Sequence, residues 1–139
     1  MRSNVNLSRI VRAAGCCGVG KVICCGTSKV IGKIARDGME EIEIENHRTL
    51  LPVLGRLREA GFELVGLEQT SGSQSLFEVE LRRKMVLVVG NERAGIAEEV
   101  LRVLDRTVEI PVYGLPYSHN AATATVMALY EYCRQFPRG

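Results

Sequence analysis

Two glycine-broken segments in the last third of this chain carry the groups best suited to chemistry. Leu87-Val88-Val89 runs into Gly90-Asn91-Glu92-Arg93-Ala94-Gly95-Ile96, and Ile110-Pro111-Val112-Tyr113-Gly114 is followed by Ser118-His119-Asn120. In each, an apolar strand-like run breaks into a loop, and loops at strand ends are where open α/β sheets bind ligands. Gly90 has no Cβ, so a ligand can approach its backbone closely. Glu92 can accept hydrogen bonds that order such loops, or serve only as a surface ion-pair partner of small energetic value. Ser118 and Asn120 stand where a helix begins, a position at which either can cap the helix, contribute to a site, or do both.

A third constellation lies near the start, in Asn6-Leu7-Ser8-Arg9-Ile10-Val11-Arg12-Ala13-Ala14, with an asparagine and an arginine six apart. Taken together and in this order, the three segments resemble motifs 1, 2 and 3 of the SpoU (TrmH-type) branch of the SPOUT methyltransferases. Leu129-Tyr130-Glu131 is similar to the end of that family's last helix, so the resemblance covers nearly the whole chain. It implies a three-layer α/β parallel-sheet fold with a C-terminal deep trefoil knot, an exception to the rule that chains are un-knotted. It also implies S-adenosyl-L-methionine as cofactor, with Gly90, Ile110 and His119 supplying backbone or wall contacts. His119 departs from the leucine usual in the family.

The implied reaction is methyl transfer to a ribose 2′-hydroxyl of tRNA or rRNA. Methyl transfer from a sulfonium is an in-line displacement, so the protein has chiefly to align donor and acceptor and exclude water. The resemblance places Asn6, Arg12, Glu92, Ser118 and Asn120 in the catalytic set and assigns activation of the hydroxyl to Arg12. A guanidinium with a pKa of about 12.5 or higher is a poor base, and forked donation to a phosphate comes more easily to it. Both roles stay open for Arg12. A knotted RNA-binding or assembly protein that keeps the cofactor without turnover is the alternative.

The elements that must hold these groups alternate in period between helix and strand, which marks an α/β layer fold. Leu7, Ile10, Val11 and Ala14 form one helical stripe, with Asn6 as the expected N-cap, Gly18 as the stop, and Arg9 and Arg12 facing away. Val22–Cys25 reads as a buried strand and Glu41–Glu45 as a half-exposed edge strand with an acidic outer face. A helix is expected from about Thr49, with Pro52 in its first turn, Leu50, Val53, Leu54 and Leu57 inward, and Gly61 at its end. Phe62–Leu67, Met85–Val89 and Val108–Val112 read as strands, and Thr70–Ser73 as a loop. Ile96–Leu104 and Ala121–Cys133 read as helices, Glu98 and Glu99 favouring the dipole at the start of the first.

Gly15-Cys16-Cys17-Gly18-Val19-Gly20-Lys21-Val22 has the glycine and lysine spacing of a phosphate-binding loop. Val22 replaces the hydroxyl residue that such a loop needs for magnesium, and the order helix-then-strand is inverted. It therefore reads as an ordinary turn.

At 139 residues the chain has the size of one domain, with five residues before Asn6 where the family has a strand. The formal charge of +2 is compatible with RNA without pointing to it. Cationic side chains cluster at Arg2, Arg9 and Arg12 and again at Lys29, Lys33 and Arg36. The chain is expected to carry no appended RNA-binding segment and to act as a homodimer, and the resemblance implies a two-fold interface that buries Met127, Leu129 or Tyr130. Five cysteines in an odd, adjacent pattern argue against a disulfide framework or a zinc site. No metal is expected. No apolar run approaches membrane-spanning length, and the reading is a cytoplasmic protein with no membrane partner.

Overall fold

A computed structural model describes residues 4–25, 42–115 and 119–138. Helices and strands alternate along it: α1 (Asn4–Cys16), β1 (Lys21–Cys25), β2 (Glu43–His47), α2 (Leu51–Glu59), β3 (Glu63–Leu67), β4 (Gln74–Ser75), β5 (Met85–Val89), α3 (Glu98–Leu101), β6 (Arg106–Glu109) and α4 (Ala121–Gln135). β1 pairs with β2, and four further strands pair in the order β4-β6-β3-β5. Every pairing is parallel. Parallel strands point their C-terminal ends the same way, so the loops after β3, β5 and β6 gather at one edge. β3 lies between the other two, and the step from β5 to β6 crosses over it. A crevice beside such a crossover is the expected ligand position in open α/β sheets.

Helices cover both faces of the strands. Leu54 on α2 packs with Leu64, Val88, Ile96 and Val100, while Ala128 on α4 packs with Val65, Leu76, Val79, Leu81 and Val108. The stripe expected on α1 forms: Leu7, Val11 and Ala14 are buried with Cys24 and Ile42, and Leu129 of α4 packs against them. Arg9 and Arg12 are exposed. Gly18 and Gly61 end their helices at φ 75° and 95°, the left-handed conformation that glycine adopts without a steric penalty.

Several boundaries differ from the sequence reading. Asn6 is not the N-cap of α1; the helix already includes Asn4, and Asn6 is buried within its first turns. α2 starts at Leu51 with Leu50 in the cap position and no side-chain cap, so Thr49 plays no such part. β2 is shifted to Glu43–His47, where Glu45 turns back to pair with Lys21 and His47 rather than facing solvent freely. Glu41 lies outside the described residues. α3 is only four residues long and closes in turns through Leu104. β6 ends at Glu109, before Pro111, which has no N–H to give a ladder. The two-residue strand β4 was not anticipated from the pattern, because so short a run has no period to read.

The five cysteines are unbridged. Cys133 donates to the Cys17 carbonyl (3.5 Å), linking α4 to the end of α1. Burial, followed by the neighbouring Cys133, pushes the Cys17 thiol up to about 12, so it stays neutral. Helix and strand follow each other around Gly15–Val22 in the order that a phosphate-binding loop cannot use.

Glu131 anchors the other side of α4. Its buried carboxylate accepts from Arg134 (2.7 and 2.8 Å) and from Gln135 (2.8 Å). Gln135 also donates to the Val79 carbonyl and accepts from the Leu81 N–H, fastening the segment before β5 onto the helix. The Arg134 bonds, ahead of those from Gln135, hold the Glu131 carboxyl below its ordinary value. A depressed folded-state pKa contributes stability that is present above the unfolded value, about 4.3, and lost as pH falls through the folded one. Glu131→Gln should therefore lower stability at neutral pH while flattening its decline below about pH 4.3, measured by urea denaturation at a series of pH values. An unchanged pH profile would show that the pairing contributes nothing to folding.

Candidate functional site

The loops after β3, β5 and β6 line an open cavity of about 480 Å³. Its apolar wall is formed by Leu67, Val89, Ile96, Leu101, Ile110 and Val112, and its rim carries Glu68, Glu92, Arg93, Glu109 and His119. The volume falls within the range of small-molecule sites, about 300–1,000 Å³, and polar residues, Gln69, Thr70 and Asn91 among them, contribute to the lining as much as apolar ones do.

The wall after β5 is a closed turn. Asn91 and Gly95 exchange backbone hydrogen bonds in both directions (3.1 and 2.9 Å). Asn91 Oδ1 accepts from the N–H groups of Arg93 (2.8 Å) and Ala94 (3.2 Å), the local bonding by which asparagine favours turns. Gly95 sits at φ 70°. The turn folds back over Gly90, where an added Cβ would fall 2.2 Å from the Gly95 carbonyl carbon and 2.4 Å from the Ile96 nitrogen. Close approach is thus required at Gly90, but the approaching group is the chain's own backbone.

Asn6, Glu92 and Asn120 meet beside this turn although they are far apart in sequence. Asn6 Nδ2 donates to Glu92 Oε1 at 3.2 Å, and Asn120 Nδ2 donates to Asn6 Oδ1 at 3.5 Å. Asn120 also caps α4, its Oδ1 accepting from the N–H groups of Ala122 (2.9 Å) and Thr123 (3.3 Å). One amide therefore caps a helix with its oxygen and ties helix to helix with its nitrogen. Among the described residues this chain of contacts links α1, the turn after β5 and the start of α4.

The other sequence candidates are placed more loosely. Ile110 is half-buried in the cavity wall and His119 is exposed at its rim. Arg12 is exposed on α1. Ser118 lies outside the described residues, as do Arg2, Lys29, Lys33 and Arg36. Sequence reading missed Glu68, which follows β3, lines the cavity and accepts from the Ile96 N–H at 2.8 Å. A polar residue directly after a buried strand, in register with two other strand ends, was the available signal.

Known proteins resemble this chain in sequence and fold. The chain is 26% identical over 133 residues to a tRNA (guanosine(18)-2'-O)-methyltransferase of Escherichia coli K12, covering 94% of this chain and 58% of that protein. A relative of the same name from Aquifex aeolicus is 30% identical over 144 residues, covering 97% and 66%. The chain thus spans about three-fifths of the length of such relatives. Among solved structures, the A. aeolicus TrmH/SpoU tRNA modifying enzyme superposes with a TM-score of 0.91 at 29% identity, over 99% of this chain and 72% of that one. The SpoU methyltransferase AviRb of Streptomyces viridochromogenes, solved with AdoMet, gives 0.83 at 28% identity over 99% and 58%. The SpoU rRNA Methylase family model matches residues 1–130, and the chain belongs to that family.

Proposed function

We propose that this chain is an S-adenosylmethionine-dependent methyltransferase acting on a ribose 2′-hydroxyl of tRNA or rRNA. The observation that carries the reading is the meeting of Asn6, Glu92 and Asn120 beside a 480 Å³ cavity at the strand ends. Relatives named as tRNA and rRNA 2′-O-methyltransferases support the substrate class. Structures solved with AdoMet in related chains support the cofactor. The knotted C-terminal connection implied by the sequence resemblance belongs to the same proposal.

The cavity fits such a cofactor. Its apolar wall suits the adenine ring, and the polar side chains Glu68, Glu92 and His119 stand at its rim. S-Adenosylmethionine, when bound, supplies a methyl group activated by a sulfonium. The chain's task is then alignment and exclusion of water. In this reading Asn6 and Asn120 hold Glu92 in one orientation. Arg12 has its guanidinium in solvent, where it can reach the RNA and either take the hydroxyl proton or fix a neighbouring phosphate. Ser118 completes the catalytic set, and Gly90, Ile110 and His119 bound the cofactor.

Incubation with methyl-labelled cofactor and RNA from cells lacking the protein, followed by nucleoside mapping, should place label on a 2′-O-methyl nucleoside. Binding of S-adenosylmethionine without incorporation would instead favour the non-catalytic alternative. Arg12→Ala should abolish incorporation while leaving affinity for S-adenosylhomocysteine intact, because a group used in the transition state need not contribute to cofactor binding. Near-parental turnover would remove Arg12 from the catalytic set.

Asn120 can be divided into its two roles. Asp caps helices as well as Asn does, whereas Ala costs about 0.5–2 kcal/mol. Asn120→Asp should therefore keep the stability that Asn120→Ala loses, yet lower methyl transfer because it cannot donate to Asn6. Equal activity in Asn120→Asp and the parent would reduce Asn120 to a cap.

We also infer a homodimer. Leu129 is used within the chain against α1, which leaves Tyr130, 54% exposed, as the apolar residue of α4 best placed for a partner. A two-fold pair would double the phosphate-facing cations, and with them the sequence-independent part of RNA affinity. Light scattering at micromolar concentration should report twice the chain mass, and Tyr130→Asp should halve it. A fully active monomer would refute the pairing.

A further inference from the structure

Glu68 is held from three directions at the mouth of the cavity. Its N–H donates to the Val108 carbonyl on β6 at 3.0 Å, and its own carbonyl accepts from Ser73 Oγ at 2.6 Å. Ser73 Oγ is in turn fixed by the Thr70 N–H (2.9 Å) and lies 3.2 Å from Thr107 Oγ1. The backbone of Glu68 thus belongs to the rigid sheet edge rather than to a free loop. From that base the carboxylate reaches across to the turn after β5, where Oε2 accepts from the Ile96 N–H at 2.8 Å.

The space it enters exists only because residue 95 is glycine. A Cβ there would lie 2.2 Å from Glu68 Oε2. The Ile96 nitrogen that Glu68 holds is the atom 2.4 Å from an imagined Cβ on Gly90. One carboxylate oxygen therefore draws the turn down onto Gly90, and the same turn carries Glu92, whose Oε1 meets Asn6.

We propose that Glu68 is a positioning residue: its carboxylate oxygen pins the Ile96 amide so that the 91–96 turn stays packed on Gly90, shaping the cofactor wall and keeping Glu92 in register with Asn6. What the wall binds rests on the methyltransferase reading, whereas the pinning itself does not. The proposal differs from a purely electrostatic role for a carboxylate lining a cavity. Length matters for pinning, since the oxygen must reach Ile96; charge is secondary, because a carbonyl oxygen also accepts from an N–H.

Two variants of the full chain separate these roles. Glu68→Gln keeps the length and an acceptor oxygen but loses the charge, whereas Glu68→Asp keeps the charge and withdraws the oxygen by one C–C bond, roughly 1.5 Å. The first readout is amide hydrogen exchange at Ile96 in the absence of any ligand, with Val88 in the β5 ladder as the internal reference for intact folding. The second is calorimetric affinity for S-adenosylhomocysteine. Ile96 should stay protected in Glu68→Gln, with affinity within about threefold of the parent. In Glu68→Asp its exchange should accelerate, and affinity should fall, by about tenfold or more, the scale of one lost hydrogen bond to a charged group. Protection lost in Glu68→Gln, or retained in Glu68→Asp, overturns the proposal. So does Ile96 behaving as expected while affinity follows charge instead. If the parent chain binds no S-adenosylhomocysteine, the methyltransferase reading fails, and exchange at Ile96 still decides whether Glu68 pins the turn.

Discussion

The pocket depends on a steric constraint between two glycines. Gly90 leaves no room for a side chain because the carbonyl carbon of Gly95 would lie 2.2 Å from a Cβ. Gly95 in turn needs a left-handed backbone, at φ 70°, and leaves a gap filled by a carboxylate. The turn between them satisfies its own backbone, with Asn91 and Gly95 bonded in both directions and Asn91 Oδ1 taking two further N–H groups. Glu92 is thereby presented by a rigid main chain. That matters because preorganised polar groups need not be reordered when the reaction occurs.

A second constraint joins the ends of the chain. α1 and α4 pack together through Leu129 and the Leu7–Val11–Ala14 stripe, and this contact brings Asn6 to Asn120. A buried amide is costly unless both its ends are bonded. Asn6 meets that demand by donating to Glu92 and accepting from Asn120. The same contacts that satisfy the buried group also fix the distance between the first and last motifs. Packing and site geometry are here one problem with one solution.

Much of this was legible from residue types. The stripes on α1 and α2, the apolar strands β3 and β5 and the glycine stops at 18 and 61 follow from local period and backbone freedom, and the structure places them accordingly. Asn6 misled because an asparagine before an apolar stripe is a good cap, while its real partners lie 86 and 114 residues away. β6 runs over Arg106–Glu109 instead of Val108–Val112, because Ile110 and Val112 continue an apolar run that Pro111 cannot pair, while the polar Arg106 and Thr107 that open the strand break the apolar pattern. Glu68 escaped notice for a related reason. Its partner is a backbone amide, which no side-chain pattern reports, and its meaning appears only when β3, β5 and β6 stand side by side.

These contacts divide the work between buried and exposed groups. Asn6 is buried and Glu92 is tied to it, so their geometry is set before any ligand arrives. Arg12 and Arg93 are exposed near the same elements, with long side chains that pay their conformational entropy only when a partner orders them. On the proposed reading this asymmetry is functional. The cofactor wall must be rigid because a small error in aligning donor and acceptor is expensive. The RNA backbone, by contrast, is a repeating anionic surface that flexible cations can follow. On the same reading a formal charge of +2 gives RNA little attraction by net charge, which puts weight on where exposed guanidiniums such as those of Arg12 and Arg93 stand relative to the fixed turn.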